Sequence, residues 1–176
     1  MKKMLIKVIA LAISAVVVLS FSGCGGMKPA TVPEANKAVI SKLESKSGLD
    51  GICKTMLEKE YIEDNCVITN AELIGATKGY RLTGKAVNGS KFDIEIYQYD
   101  ATKSNDRSKA VIASVKENKS FELFGKVVPY CYMSANDEFL LIYPDAKSVS
   151  DKADDEPNKK RLGEVKDILN KAETTK

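Results

Sequence analysis

Residues 80–99 read YRLTGKAVNGSKFDIEIYQY, which is the strongest local hairpin signal in the chain. The dipeptide Asn88-Gly89 favours a two-residue hairpin turn, because both turn positions need positive φ. In the segment after it, Phe92, Ile94 and Ile96 alternate with polar or tyrosine residues, which is the period of a strand with one buried face. The stretch therefore predicts an antiparallel hairpin within an α+β domain.

Helical spacing of apolar residues recurs on both sides of this hairpin. The helical segments are residues 34–47, 49–61 and 104–119, and a C-terminal segment around 162–169. A second hairpin is expected from 121–133 and 138–143, and residues 67–77 are a weaker strand candidate. The order α-ββ-α-ββ-α predicts an antiparallel sheet of four to five strands with helices packed on one face.

One domain is expected over residues 34–176, with a polar linker near 145–157 before the C-terminal helix. A calcium ion is one candidate ligand for the acidic residues of this linker, which are Asp151, Asp154, Asp155 and Glu156. Their spacing lacks the glycine-containing loop of the EF-hand. A solvated run of charge explains them more simply.

The first residues have the composition of a secretory signal. Lys2, Lys3 and Lys7 precede an apolar run over 8–21, which is shorter than the ~20 residues that a membrane-spanning helix needs. The run ends in FSGC, residues 21–24, which resembles the lipobox of bacterial lipoproteins, with Phe where that family usually has Leu. There are two alternatives: an N-terminal anchor helix, and an ordinary secretory signal with an incidental cysteine.

The resemblance implies that residues 1–23 are a signal peptide, cut just before Cys24. The Cys24 sulfur would then carry a diacylglycerol and hold the protein at the cell membrane, on its extracytoplasmic face. Two acyl chains are what stable membrane attachment takes. Residues 24–33 contain two glycines and two prolines, and we expect them to be a flexible tether.

Charge and composition exclude several classes of function. Removing a signal with three lysines and no acidic residue brings the formal net charge from +3 to zero, which leaves no basic footprint for nucleic acid. The chain has no histidine, so a Ser–His or Cys–His pair and an imidazole metal site are excluded. We expect no catalytic site, metal or cofactor, and favour a non-catalytic binding domain with an envelope protein as partner.

Two carboxylates on the predicted strand, Asp93 and Glu95, have the spacing of a catalytic pair. Residues i and i+2 of a strand lie about 6.6 Å apart at the backbone, within the range of glycosidase carboxylates. Alternation along a surface strand explains the pair without catalysis.

Three cysteines remain once Cys24 is assigned to the lipid: Cys53, Cys66 and Cys131. Cys53 and Cys66 are the candidate disulfide, because export permits a bridge. Cys53 also falls on the apolar stripe of its helix, where a cysteine packs as a small buried hydrophobe. A thiol/disulfide redox or envelope-stress function built on the three cysteines is the alternative to simple binding.

Tyrosines supply the candidate binding surface, because they give rigid contact area with a polar tip. Tyr97 and Tyr99 share one strand face, and Tyr130 and Tyr132 share a face of a later strand. If the two faces coincide, they form one tyrosine-rich surface. The alternative is that the N-terminal helices cover this face and the tyrosines pack beneath them.

Overall fold

The computed structural model describes residues 36–172. Three α-helices are present there: α1 (Gly48–Glu58), α2 (Asp106–Asn118) and α3 (Glu156–Lys171). The strands are β1 (Lys37–Ala38), β2 (Ile62–Ile68), β3 (Lys78–Lys85), β4 (Lys91–Gln98), β5 (Phe121–Leu123), β6 (Lys126–Val128), β7 (Cys131–Met133) and β8 (Phe139–Ile142). The expected signal peptide, the tether and the lipidation site Cys24 lie outside the described residues.

Six strands form one antiparallel sheet in the order β1-β2-β3-β4-β8-β7, and β5 pairs with β6 in a separate hairpin. The α+β class and the antiparallel sheet are confirmed. The predicted count of four to five strands and the order α-ββ-α-ββ-α are wrong in detail, because β1 and β2 extend the sheet. An irregularity in the pairing of β2 between Ile62 and Cys66 breaks the alternation that would have revealed this strand.

The central hairpin β3–β4 is present, with Lys85 paired to Lys91 across its end. Its turn differs from the expected two-residue turn. The Gly89 amide donates to the Ala86 carbonyl at 2.9 Å, and only Gly89 of the turn has positive φ, at 83°. This is a three-residue loop, in which glycine alone takes the left-handed conformation.

The helix predicted over 34–47 is wrong for the described part of that segment. Residues 37–38 form β1, and Ile40–Lys42 is a single 3-10 turn. Asp64 of β2 accepts hydrogen bonds from the Ser41 amide at 2.7 Å and from the Ser41 hydroxyl at 2.6 Å. These bonds, together with pairing to β2, hold the chain at the sheet edge, so tertiary contacts override a weak helical preference.

Helices cover both faces of the sheet, which corrects the expectation of one covered face. Tyr80, Ile96 and Leu141 are neighbours across β3, β4 and β8, and pack with α1 and α3. Their sequence neighbours Tyr97 and Leu140 point to the opposite face and pack with α2 and the β5–β6 hairpin. We call these the α1–α3 face and the α2 face.

The predicted long strand 121–133 is divided into three. A turn at Phe124 and Gly125 reverses the chain between β5 and β6, and Pro129 separates β6 from β7. β7 then pairs with β8 at the sheet edge. β8 is buried along its whole length, as expected for a strand that is apolar on both sides.

The segment near 145–157 is packed against the domain. It forms two 3-10 turns, Ala146–Val149 and Ala153–Asp155. The buried Asp145 carboxylate accepts a hydrogen bond from the Ser148 hydroxyl at 2.6 Å, and that hydroxyl also contacts the Asn158 carbonyl. Among residues 36–172, no helix combines the length and the apolar character needed to cross a membrane.

Candidate functional site

A cleft of about 570 Å³ lies between α1 and α3. Its lining combines apolar side chains and helix backbone with charged side chains at the rim. The α1 side includes Gly48, Gly51, Ile52 and Thr55, and the α3 side includes Glu164, Ile168 and Ala172. A volume of this size lies within the range of small-molecule and peptide-anchor pockets.

The rim of the cleft is rich in lysine. Lys46, Lys59 and Lys171 are exposed there, together with Asp167. Within residues 36–172, Lys46, Asp167 and Lys171 make no ion pair, so their charges face solvent. The rim therefore favours a partner of negative charge, and the excess of cations is small.

One end of the cleft is closed by a contact between the chain after α1 and α3. The Tyr61 hydroxyl donates a hydrogen bond to Glu164, and the Arg161 guanidinium lies 5.0 Å from the centre of the Tyr61 ring. The hydrogen bond from Tyr61 lowers the pKa of the Glu164 carboxyl, and the same bond raises the pKa of Tyr61. Glu164 is thus engaged by Tyr61 and anionic at neutral pH.

The first turn of α1, which forms the other end of the cleft, is held by β4. Gly48 has φ of 58°, a left-handed conformation that suits glycine. The Leu49 amide donates to the Gln98 side-chain carbonyl at 3.3 Å, in place of a cap from Ser47. A Cβ at Gly51 would collide with the Lys46 carbonyl oxygen. The glycines thus let the chain pass close to the helix.

A polar cluster lies beneath α1, behind the cleft floor. The buried Asp50 carboxylate accepts hydrogen bonds from the Lys78 ammonium at 2.7 Å and from the Tyr80 hydroxyl at 2.9 Å. Burial, with the hydrogen bond to Asp50, raises the pKa of Tyr80 to about 12. Each member has a partner, so the cluster anchors α1 to β3 and leaves no reactive group free.

The three cysteines are free thiols and are buried. Cys53 and Cys66 belong to the core of the α1–α3 face, and Cys131 belongs to the α2 face. Burial raises the pKa of all three, that of Cys131 to about 12. The thiolate is the reactive form, so these thiols are poor nucleophiles in the folded protein.

The candidate tyrosine surface is not assembled by the fold. Tyr97 and Tyr99 are buried, as the packing alternative expected, but α2 and the β5–β6 hairpin cover them where the alternative had the N-terminal helices. Tyr132 packs against the core of the α1–α3 face, on the other side of the sheet, with the Lys166 ammonium 3.7 Å from its ring centre. Tyr130, just before β7, is partly exposed at 36%.

Asp93 and Glu95 differ in surroundings. Glu95 forms an ion pair with Arg81 at 2.7 Å and accepts a hydrogen bond from the Tyr97 hydroxyl at 2.7 Å. Asp93 is exposed.

The four acidic residues that are candidate calcium ligands lie in the segment near 145–157. Asp155 is buried there, and Asp151, Asp154 and Glu156 are exposed. In the part of the chain that the structure describes, no cluster of three acidic, cysteine or histidine residues could hold a metal ion.

The cleft is the feature that sequence reasoning missed. Its two walls lie more than a hundred residues apart in the chain, and their lysines and small residues form no local motif. No protein-family model, curated protein or solved structure matches this chain. The geometry of the cleft and the sequence pattern are therefore what a functional proposal has to rest on.

Proposed function

We propose that this chain is a lipid-anchored cell-envelope protein whose domain is a non-catalytic binding domain, with the α1–α3 cleft as its binding site. The observation that carries the proposal is the cleft itself, which combines apolar side chains with the exposed lysines of its rim. The sequence around Cys24 supports the anchor, through its resemblance to a lipobox. The protein then works at the extracytoplasmic face of the cell membrane.

The chemistry around the cleft favours binding over catalysis. Glu164, the half-buried carboxylate in its wall, is held anionic by Tyr61, so it is a weak proton donor at neutral pH. The nearest thiols, Cys53 on α1 and Cys66 on β2, are protonated and buried away from solvent. A nucleophile activated by a neighbouring base is the usual requirement of covalent catalysis, and these groups do not meet it.

The lining also defines the class of partner. Ile52, Ile168 and Ala172 give an apolar floor for one anchoring side chain, and the lysines of the rim favour acidic neighbours of that anchor. We therefore infer that the cleft receives a segment of an envelope protein in which an apolar residue is flanked by Asp or Glu.

The anchor is tested by intact-mass analysis of the full chain purified from membranes. We expect acyl additions, removal of residues 1–23, and release from the membrane when Cys24→Ala replaces the modified residue. Unchanged processing and retention of Cys24→Ala would contradict the anchor and leave the cleft to be judged separately.

The binding site is tested by photo-crosslinking of the full chain in its own membranes. A photo-reactive phenylalanine analogue at position 168, in the cleft, should give a discrete adduct, whereas the analogue at position 163 should not. Gly163 is on the same helix with open space around it and does not line the cleft. Ala172→Trp should fill the cleft and abolish the adduct, and Gly163→Trp should not. Equal labelling from both positions would contradict the proposal.

The thiol function remains a second candidate because Cys53 and Cys66 share one core cluster. It predicts a fraction of Cys53–Cys66 disulfide in protein taken directly from the envelope, which rises and falls with added oxidant and reductant. The candidate would be ruled out if Cys53 and Cys66 were recovered entirely as reduced thiols under all of these conditions.

A further inference from the structure

The tip of the β5–β6 hairpin presents apolar side chains to solvent. Phe124 is 69% exposed and Val127 is 63% exposed, more than the other large apolar residues of residues 36–172. Both belong to a hairpin whose other side, with Phe121 and Val128, is buried against the α2 face. The hairpin therefore has a packed side and an apolar outer tip.

The backbone at this tip is also unusual. Phe124 has φ of 51° and Gly125 has φ of 73°, so both turn residues are left-handed. Asn-Gly is the dipeptide that usually fills such a turn, because a phenylalanine there is strained. The β3–β4 turn of the same domain uses only a glycine at positive φ. Phe124 is thus held in a costly conformation and gains no burial within residues 36–172.

The charges near the tip favour an anionic surface. Lys126 is exposed beside the turn, and the Arg107 guanidinium donates to the backbone carbonyl of Glu122 at the base of the hairpin. Glu122 is the hairpin's one acidic residue. Exposed phenylalanine next to basic side chains is the composition found at the level of lipid headgroups.

The length of chain before the domain makes a bilayer the nearest such surface. Eleven residues lie between Cys24 and Asn36, the first described residue, and the twelve steps along the chain span at most about 40 Å when extended. A lipid on Cys24 would keep the hairpin at high effective concentration near the membrane, so that a contact too weak in free solution becomes populated.

We propose that the β5–β6 tip inserts Phe124 and Val127 into the boundary between headgroups and acyl chains of the bilayer that holds Cys24. Lys126 then lies at the phosphate level. The insertion rests on the anchor of the proposed function and adds a second point of attachment. Two points restrict how the domain is oriented on the membrane, which a single tether leaves free.

The chain has no tryptophan, so Phe124→Trp introduces a single fluorescent reporter. The full chain is purified from membranes and reconstituted into vesicles of phosphatidylglycerol and phosphatidylcholine, with or without bromine on the acyl chains. We expect a blue-shifted emission and about twofold quenching by the brominated lipid. Val87→Trp is the matched control, on the exposed β3–β4 turn, and should emit as in water and stay unquenched.

Intact mass of the same preparation separates this proposal from the anchor. Quenching at position 124 without acyl groups on Cys24 supports the insertion and contradicts the anchor. Acylated protein in which positions 124 and 87 are equally unquenched overturns the insertion. A blue shift at position 124 that follows protein concentration and ignores bromine indicates contact between copies, and also overturns it. Far-UV circular dichroism of both variants confirms that the fold is kept.

Discussion

Asp50 is the residue that fixes α1 on the sheet. Its buried carboxylate is shared by the Lys78 ammonium and the Tyr80 hydroxyl, both on β3. Loss of this carboxylate leaves the buried Tyr80 hydroxyl without that acceptor. Removing the acceptor of a buried donor lowers the free energy of unfolding by more than the net contribution of the hydrogen bond itself.

We predict that Asp50→Ala lowers the free energy of unfolding by about 2–4 kcal/mol, because a buried hydroxyl and a partly buried ammonium lose their acceptor. Urea unfolding followed by circular dichroism measures the change. Asp93→Ala is the matched control, since Asp93 is exposed on the neighbouring strand and should change stability by less than about 0.5 kcal/mol. Equal effects of the two substitutions would show that Asp50 has no special role.

The buried thiols and tyrosines make stability depend on alkaline pH. Burial raises the pKa of Cys131 from 9.0 to about 12, so the folded state keeps a proton that the unfolded state loses. The stability that the folded protein gains from protonated Cys131 is therefore complete below pH 9 and is lost as the pH rises towards 12. Tyr80, raised from 10.0 to about 12, acts in the same direction.

We predict that the free energy of unfolding falls as pH rises above 9, and that Cys131→Ala makes the fall shallower by about 1.4 kcal/mol per pH unit. Urea titrations at several pH values between 8 and 11 give the two slopes. The comparison uses slopes, so any constant loss of packing in the variant cancels. Parallel curves would mean that Cys131 titrates normally in the folded protein.

Among the elements, glycines have opposite roles in the two helices that form the cleft. In α1, Gly51 lies against the Lys46 carbonyl, with no room for a Cβ. In α3, Gly163 has nothing within 4 Å of the place where a Cβ would be. The same residue type is therefore required by a close approach in one helix and dispensable in the other.

Gly51→Ala should destabilise the domain by about 1–3 kcal/mol, because the chain before α1 must shift. Gly163→Ala should instead stabilise it by about 0.5–1 kcal/mol, since alanine has the higher helix propensity. Thermal unfolding of the two variants measures both signs in one experiment. Stabilisation by Gly51→Ala would show that the backbone of residues 46–51 can move to admit a Cβ without a loss of stability.

The elements that sequence reasoning found are those whose signal is local. The central hairpin has its Asn88-Gly89 turn and regular alternation, and α3 has its apolar stripe. The helix predicted over 34–47 is wrong in its described part, because the conformation there depends on Asp64, which lies far along the chain. The tyrosine surface failed for a related reason, since the register of β7 on β8 decides which face Tyr132 shares.

The cleft could not be predicted from the sequence at all. It depends on how α1 and α3 lie against the same face of the sheet, and on the contact of Tyr61 with Glu164 at its end. Neither the distance between the helices nor that contact leaves a spacing pattern in the chain.

For the whole domain, the important feature is that two cores share one sheet. β4 and β8 contribute alternate residues to the α1–α3 face and to the α2 face, so neither core can unfold without disturbing these strands. Such an arrangement couples the two cores and favours unfolding in a single transition.

Leu82→Ala, in the core of the α1–α3 face, should lower the free energy of unfolding by about 2–4 kcal/mol, and Val115→Ala, in the core of the α2 face, by about 1–3 kcal/mol. Each variant should still unfold in a single transition. Tyrosine fluorescence and far-UV circular dichroism should give coincident urea curves for each variant. Two separated transitions in either variant would show that the cores unfold independently.

Both borders of the six-stranded sheet are made by its shortest members, β1 with two residues and β7 with three. Amyloid-like stacking and strand exchange need a long row of unsatisfied amides and carbonyls as a template, and these borders offer only a short one. The short border strands therefore lower the tendency of the domain to accept a further strand from another copy at either side of its sheet.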